Sequence, residues 1–145
     1  TTLFRSDGAL RNFILHPDYF NAADSTSGAL EIDYPNFQNV SQQFWQTNRM
    51  TDDLMKNLGN PETEDWKKYS ISTLLRQNPE FKKPFIFDCG TEDILYPNSE
   101  NLKAVADSLK IPVTFIAQPG NHNTEYWNKS IDHHYVYFKQ HITAE

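Results

Sequence analysis

The sequence is 145 residues long, which is the length of one domain or of part of one. Its net charge of −6 argues against a basic face, so we expect neither nucleic acid nor an anionic membrane as a partner. No apolar run approaches the roughly 20 residues of a membrane-spanning helix. Hydrophobic residues make up 38% of the chain, enough for a core, and the aromatic share of 14% suits a ligand pocket as well as core packing.

The first half of the chain predicts helices and one ambiguous strand. We expect helices at residues 7–15, 41–48, 51–58 and 65–77, and a short buried strand within 20–27. In the first helix, Asp7 can cap or favour the amino end, and the apolar face consists of Ala9, Leu10, Phe13 and Ile14. Residues 30–80 are polar and aromatic. We interpret them as a cap-like helical insertion within a single partial domain, 1–145.

The second half has a cleaner pattern of alternating strands and helices. Strands are expected at residues 85–88 and 113–117, separated by a helix that starts at 98 or 99 and runs to 110. A final helix is expected over 127–142, and its inward face is predicted to contain Trp127, Ile131, His134, Tyr135, Phe138 and Ile142. A strand, a helix and a strand in this order predict a parallel βαβ unit, and therefore an α/β fold.

Two polar residues follow the two strands of this unit at similar distances. Asp93 and His122 each lie about five residues beyond a strand, and parallel strands end at the same edge of a sheet. We therefore expect the two side chains to meet, with Nδ1–H of the histidine donating to the carboxylate and Nε2 left as a general base. Taken separately, Asp93 could be an ordinary loop carboxylate and His122 an ordinary turn histidine.

The remaining candidates for chemistry carry weaker signals. Cys89 is the only cysteine, which excludes an internal disulfide, and we interpret it as a buried thiol at a strand end. The histidines of the last helix, His133, His134 and His141, match no zinc motif, and we interpret them as surface or packing residues. His16 precedes a proline and indicates a helix end.

Several short motifs together resemble one enzyme family. They are Gly-Thr-Glu-Asp at 90–93, Pro-Gly-Asn-His at 119–122, Glu-Tyr-Trp at 125–127, and, near the front, Gly-Ala-Leu at 8–10 and His-Pro-Asp at 16–18. The combination resembles the esterase D-like α/β-hydrolases, which include S-formylglutathione hydrolases, acetyl-xylan and feruloyl esterases, and tributyrin-type esterases. The likeness covers most of the chain and is weakest between residues 30 and 80. It implies that the chain is the carboxyl-terminal part of an α/β-hydrolase.

The resemblance also implies roles for individual residues. It makes Asp93 the acid and His122 the base of a catalytic triad, with no metal and no organic cofactor. The nucleophile position, counted back from the His-Pro motif, falls on Leu3, which cannot attack a carbonyl. Ser6 is the nearest serine and a weak alternative, since it lies one helical turn too late.

Two explanations of the missing nucleophile remain open. The chain is either the carboxyl-terminal part of a larger ester hydrolase, excised or paired with a separate segment, or a decayed domain that binds a ligand or serves as structure without turnover. In the first case we expect a short-chain or carbohydrate-linked ester as the substrate, and an upstream segment or an oligomer that completes the sheet. The expected pocket residues are Trp45, Tyr96, Tyr126 and Trp127.

Overall fold

A computed structural model describes the backbone of residues 5–142 and the side chains of residues 6–142. Within this part of the chain, three parallel strands form one sheet in the order β1-β2-β3. No helix in the same range has both the length and the apolar character that crossing a membrane requires. The elements are α1 (Arg5–Leu15), β1 (Asp24–Thr26), α2 (Tyr34–Trp45), α3 (Arg49–Leu58), a 3₁₀ helix (Trp66–Tyr69), α4 (Ile71–Gln77), β2 (Phe85–Gly90), α5 (Tyr96–Ser108), β3 (Val113–Gln118) and α6 (Thr124–His141). The predicted α/β fold with parallel strands is confirmed.

The central strand β2 organises the packing on both faces of the sheet. All six of its residues are buried, and alternate residues point to opposite faces. Phe85 and Phe87 lie in a core with side chains from α1, α4 and α5. Asp88 points to the other face, where α6 covers β1 and β2. The helices are therefore divided between the two faces, as a parallel sheet requires.

A second core lies beyond the carboxyl ends of the strands. Phe37 and Val40 of α2, Met50 and Leu54 of α3, and Cys89 of β2 are buried together there. The helices α2 and α3 therefore lie above the carboxyl ends of the strands. In the sequence, they fall between β1 and β2. By contrast, α4 packs in the first core, with Phe85 and Phe87, although α4 also falls within the 30–80 segment. The division of the chain at 30 and 80 stays a prediction.

The helix predictions were right in kind and wrong in detail. The helix expected at 41–48 is the end of a longer one, α2, which begins after Asp33, whose side chain accepts from the N–H of Asn36. The single helix expected at 65–77 is a 3₁₀ helix followed by α4. In α1, Leu10, Phe13 and Ile14 are buried as predicted, but Ala9 is exposed.

The inward face of α6 was predicted only in part: His134 is buried as expected, and Trp127 and Phe138 are half-buried. Ile131, Tyr135 and Ile142 are exposed, whereas the buried residues are Tyr126, Ser130, His134 and Tyr137. A search for an apolar stripe fails here because the sheet beneath α6 presents carboxylates from β1 and β2. His134 contacts both carboxylates, so the buried face of α6 combines this imidazole with the rings of Tyr126 and Tyr137 instead of an aliphatic stripe.

Candidate functional site

The loops after β2 and β3 approach each other through two glycines. A Cβ atom on Gly90 would lie 2.2 Å from the carbonyl oxygen of Gly120, and one on Gly120 would lie 2.3 Å from the ring of Tyr126. Gly120 also has a φ of +152°, which side chains disfavour. The N–H of Glu92 donates to the carbonyl of Gly120 at 3.0 Å. Only glycine allows this approach, and it fixes the two loops against each other.

Asp93 and His122 meet where these loops converge. Oδ2 of Asp93 lies 2.9 Å from Nδ1 of His122, and Oδ1 accepts from the N–H of Leu95 at 2.9 Å. The carboxylate is fully buried, whereas 13% of the imidazole is exposed. A neutral ring that donates from Nδ1 leaves Nε2 free to accept a proton. The contact expected from the spacing of strands and loops is therefore present, although the catalytic role stays a prediction.

Aromatic rings enclose the imidazole of His122 on two sides. The ring centroids of Phe44 and Trp127 both lie 5.2 Å from that of His122, and Trp127 is perpendicular to it. Phe44 stands near the end of α2, beside Trp45, whose ring is 5.7 Å away and 45% exposed. The second core thus holds the end of α2 against the loop that carries the histidine.

The predicted pocket residues separate into two groups. The ring of Trp127 contacts His122. Trp45 contacts Phe44, which in turn contacts His122. Tyr126 instead packs behind the loop, where it is 2% exposed, and burial raises the pKa of its hydroxyl.

Tyr96 lies in the second core, with its ring 6.2 Å from that of Phe115. Phe44 belongs to the aromatic, cap-like segment predicted at 30–80, but it was not named individually as a pocket residue. Its position next to Trp45 is the signal that could have indicated it.

The two nucleophile candidates have different outcomes. Leu3 lies outside the described residues. Ser6 is in the first turn of α1, where its hydroxyl donates to the carbonyl oxygen of Thr26 at 3.2 Å. This bond ties α1 to β1. Within residues 5–142, no hydrogen bond joins Ser6 to His122.

Cys89 is buried at the end of β2, as predicted. Burial raises the pKa of its thiol, and the negative charge of Asp93 raises it further. The thiol is therefore protonated at neutral pH and is a poor nucleophile. No group of three or more histidine, cysteine or carboxylate side chains is placed to hold a metal ion in the range that the structure covers.

A second imidazole–carboxylate cluster lies under α6, and sequence reasoning missed it. His134 is 1% exposed, with Nε2 3.0 Å from Oδ2 of Asp88 and Nδ1 2.9 Å from Oδ2 of Asp24. Burial by itself lowers the pKa of this histidine, but the two carboxylates outweigh burial and raise the pKa to about 9. The interpretation of His134 as a surface or packing residue was therefore incomplete. Asp88 within the buried strand β2 is the signal that could have indicated a buried cationic partner.

No protein-family model matches the sequence, and no curated protein does. The fold, however, matches solved structures. The S-formylglutathione hydrolase of Staphylococcus aureus matches with a TM-score of 0.69 and 20% identity, over 91% of this chain and 50% of that one. A ferulic acid esterase matches with a TM-score of 0.63 and 17% identity, over 87% and 44% of the two chains. The acylaminoacyl peptidase of Pyrococcus horikoshii matches with a TM-score of 0.64 and 15% identity, over 93% and 22%.

These matches define the fold of this chain. It is the fold of the carboxyl-terminal part of an α/β-hydrolase, and the expected likeness to esterase D-like and feruloyl esterase structures is confirmed at that level. The chain spans half or less of the length of these three proteins.

Proposed function

We propose that this chain supplies the acid and the base of a serine-type carboxylic ester hydrolase. The observation that carries the proposal is the 2.9 Å contact between Asp93 and His122 at the carboxyl edge of a parallel sheet. Ligand sites of open α/β sheets lie at this edge. The fully buried carboxylate and the partly exposed imidazole have the relative burial that an orienting acid and a working base need.

In the proposed reaction, Nε2 of His122 removes the proton from a serine hydroxyl as the oxygen attacks the ester carbonyl. The C–O bond to the alcohol then breaks, and the imidazolium returns the proton to the departing oxygen. Water repeats the sequence on the acyl-serine and releases the acid. Asp93 holds the ring in the correct orientation and stabilises its positive charge, because its other oxygen is fixed by the N–H of Leu95.

The proposed substrate is a short-chain or carbohydrate-linked ester. Phe44 and Trp127 form apolar walls beside His122, and the exposed ring of Trp45 extends one of them. Aromatic walls exclude water from the reacting carbonyl and offer flat surfaces to an aryl or sugar group. One structurally similar protein is named a ferulic acid esterase, and ferulic acid is an aromatic acid. We propose that this chain also accepts an ester with an aromatic group.

We further propose that the serine and the rest of the sheet come from another segment, upstream or in a partner. Within the described residues, β1 has a neighbour on one side only, so its outer edge is available for pairing. The matched hydrolases contain about twice the length of this chain or more.

Hydrolysis of 4-nitrophenyl acetate tests the role of His122 in the chain itself. A partly exposed, oriented imidazole can attack so activated an ester without a serine. We expect a rate above buffer that is lost in His122→Ala and reduced in Asp93→Asn. His133→Ala is the matched control, because His133 is exposed on α6 and should leave the rate unchanged.

Two results would contradict the proposal. The first is a rate in His122→Ala equal to that of the unmodified chain, since another group would then carry the reaction. The second is no rate above that of His122→Ala in the unmodified chain, since Nε2 would then be inaccessible. The second result favours ligand binding without turnover.

A further inference from the structure

The cluster under α6 joins three elements through one imidazole. Asp24 comes from β1, Asp88 from β2 and His134 from α6. Thr26 of β1 adds its hydroxyl, 3.5 Å from Nε2 of His134. Oδ1 of Asp88 is buried and accepts no hydrogen bond from the rest of the described chain. A carboxylate so poorly solvated requires a positive partner, and the imidazolium is the cation placed beside it.

The buried face of α6 depends heavily on this cluster. Its other buried residues are Tyr126, Ser130 and Tyr137, so no buried aliphatic side chain anchors the helix to the sheet. The apolar residues Ile131, Tyr135 and Val136 point outward instead. Tyr126 and Tyr137 bury aromatic area beneath α6, and the ion pairs of His134 add the directional contact that fixes where the helix sits on β1 and β2.

The position of α6 and the position of His122 are linked, because α6 begins two residues after His122. The helix begins at Thr124, immediately after Asn123, whose side chain caps it by accepting from the N–H of Tyr126 at 3.0 Å. His122 is the residue before this cap. The ring of Tyr126 also packs against Gly120, on the other side of His122. About three turns of rigid helix therefore connect the ion pairs of His134 to the loop that carries His122.

We propose that His134, held as a cation between Asp24 and Asp88, is a latch that docks α6 on the sheet and thereby positions His122 against Asp93. His134 is a positioning residue, because it acts through the helix and touches no reacting atom. The inference deepens the proposed function, since it concerns the histidine that the function uses. Its test relies on spectroscopy, so its failure can be distinguished from a failure to hydrolyse esters.

The charge state of the latch predicts a pH dependence. The charged groups that face His134 are Asp24 from β1 and Asp88 from β2, the two strands packed against α6. The pKa of His134 is raised to about 9 in the folded chain from the ordinary histidine value of 6.5. A raised histidine pKa means that the folded state holds the proton more tightly. The stabilisation is therefore complete below pH 6.5 and is lost as the pH rises through 9.

Hydrogen exchange and NMR of the intact chain test the latch. Between pH 6.5 and 9, the protection factors of α6 amides should fall by up to about tenfold per pH unit, after correction for intrinsic exchange. The Nδ1–H signal of His122, bonded to Asp93, should weaken over the same range. In His134→Gln the protection should lose this pH dependence, and the His122 signal should already be weak at pH 6.5. His133→Gln, which changes an exposed neighbour, should behave as the unmodified chain does.

Three results would overturn the proposal. Protection of α6 that does not change over this range would show that His134 is not a charged latch. Protection that falls while the His122 signal persists would show that docking does not position His122. A His134→Gln chain with the same pH dependence as the original would assign the effect to another group. If that variant does not fold, the titration of the unmodified chain still decides the question.

Discussion

Replacing Gly90 by alanine should separate the two loops of the candidate site. The new Cβ would lie 2.2 Å from the carbonyl oxygen of Gly120, whereas ordinary contacts begin at 3.4 Å. Because the obstacle is backbone rather than a flexible side chain, one loop must move by about 1 Å. The 3.0 Å bond from the N–H of Glu92 to Gly120 would be lost with that movement, and the contact of Asp93 with His122 would stretch beyond hydrogen-bonding distance.

The expected cost of this change combines two effects. Overpacking of a tight site costs about 1–3 kcal/mol, and loss of one backbone hydrogen bond costs about 1 kcal/mol. Urea unfolding should therefore show a decrease of about 2–4 kcal/mol in the free energy of unfolding. The Nδ1–H signal of His122 should weaken, and the hydrolysis of 4-nitrophenyl acetate should fall with it.

Gly8→Ala is the matched control for the loss of a glycine. Gly8 lies inside α1, and nothing lies within 4 Å of a Cβ added there. Alanine is the better helix former, so this variant should gain up to about 1 kcal/mol. If Gly90→Ala were as stable as the original chain and kept the His122 signal, then close backbone contact would not be what brings the two loops together.

Two further predictions concern the first turn of α1. Burial raises the pKa of Asp7 to about 7 against the opposing effect of Arg11, so the folded chain becomes less stable as the pH rises from 3.8 to 7. Asp7→Asn removes this penalty and should stabilise the chain by up to about 4 kcal/mol at pH 8 and very little at pH 4, as measured by urea unfolding. A loss of stability at pH 8 would refute the sign. Ser6→Ala should lower the free energy of unfolding by about 1 kcal/mol, because the bond to Thr26 is lost. It should leave the rate that depends on His122 unchanged, and a parallel loss of that rate would identify Ser6 as the nucleophile.

The contact between Asp93 and His122 could be predicted from sequence because the topology brings both loops to the same edge of the sheet. Adjacent parallel strands end together, and loops of similar length carry their residues to similar heights above the sheet. The strands predicted at 85–88 and 113–117 are two residues and one residue longer in the structure. The predicted meeting of Asp93 and His122 does not depend on this difference. A pairing that depends on strand order and loop length tolerates errors at element boundaries.

The walls of the site could not be predicted in the same way. Phe44 reaches His122 because α2 packs through the second core over the strand ends. That placement depends on contacts distant in the sequence, between α2, α3 and the end of β2. A local pattern of aromatic residues contains no such information. It therefore suggested Tyr96, which packs near Phe115 instead.

The errors in the predicted inner face of α6 and the proposed latch have the same physical origin. An apolar stripe indicates the inner face of a helix only when the surface beneath it is apolar. Here β1 and β2 place Asp24 and Asp88 under the helix, so the inner face must supply a cation and hydrogen-bond donors. His134 answers that requirement, and Ile131 and Tyr135 are left outside. Replacing the cluster with apolar residues of similar size could preserve stability, as buried ion pairs often allow. It would remove the pH dependence, and the pH dependence is therefore the property that distinguishes a charged latch from simple packing.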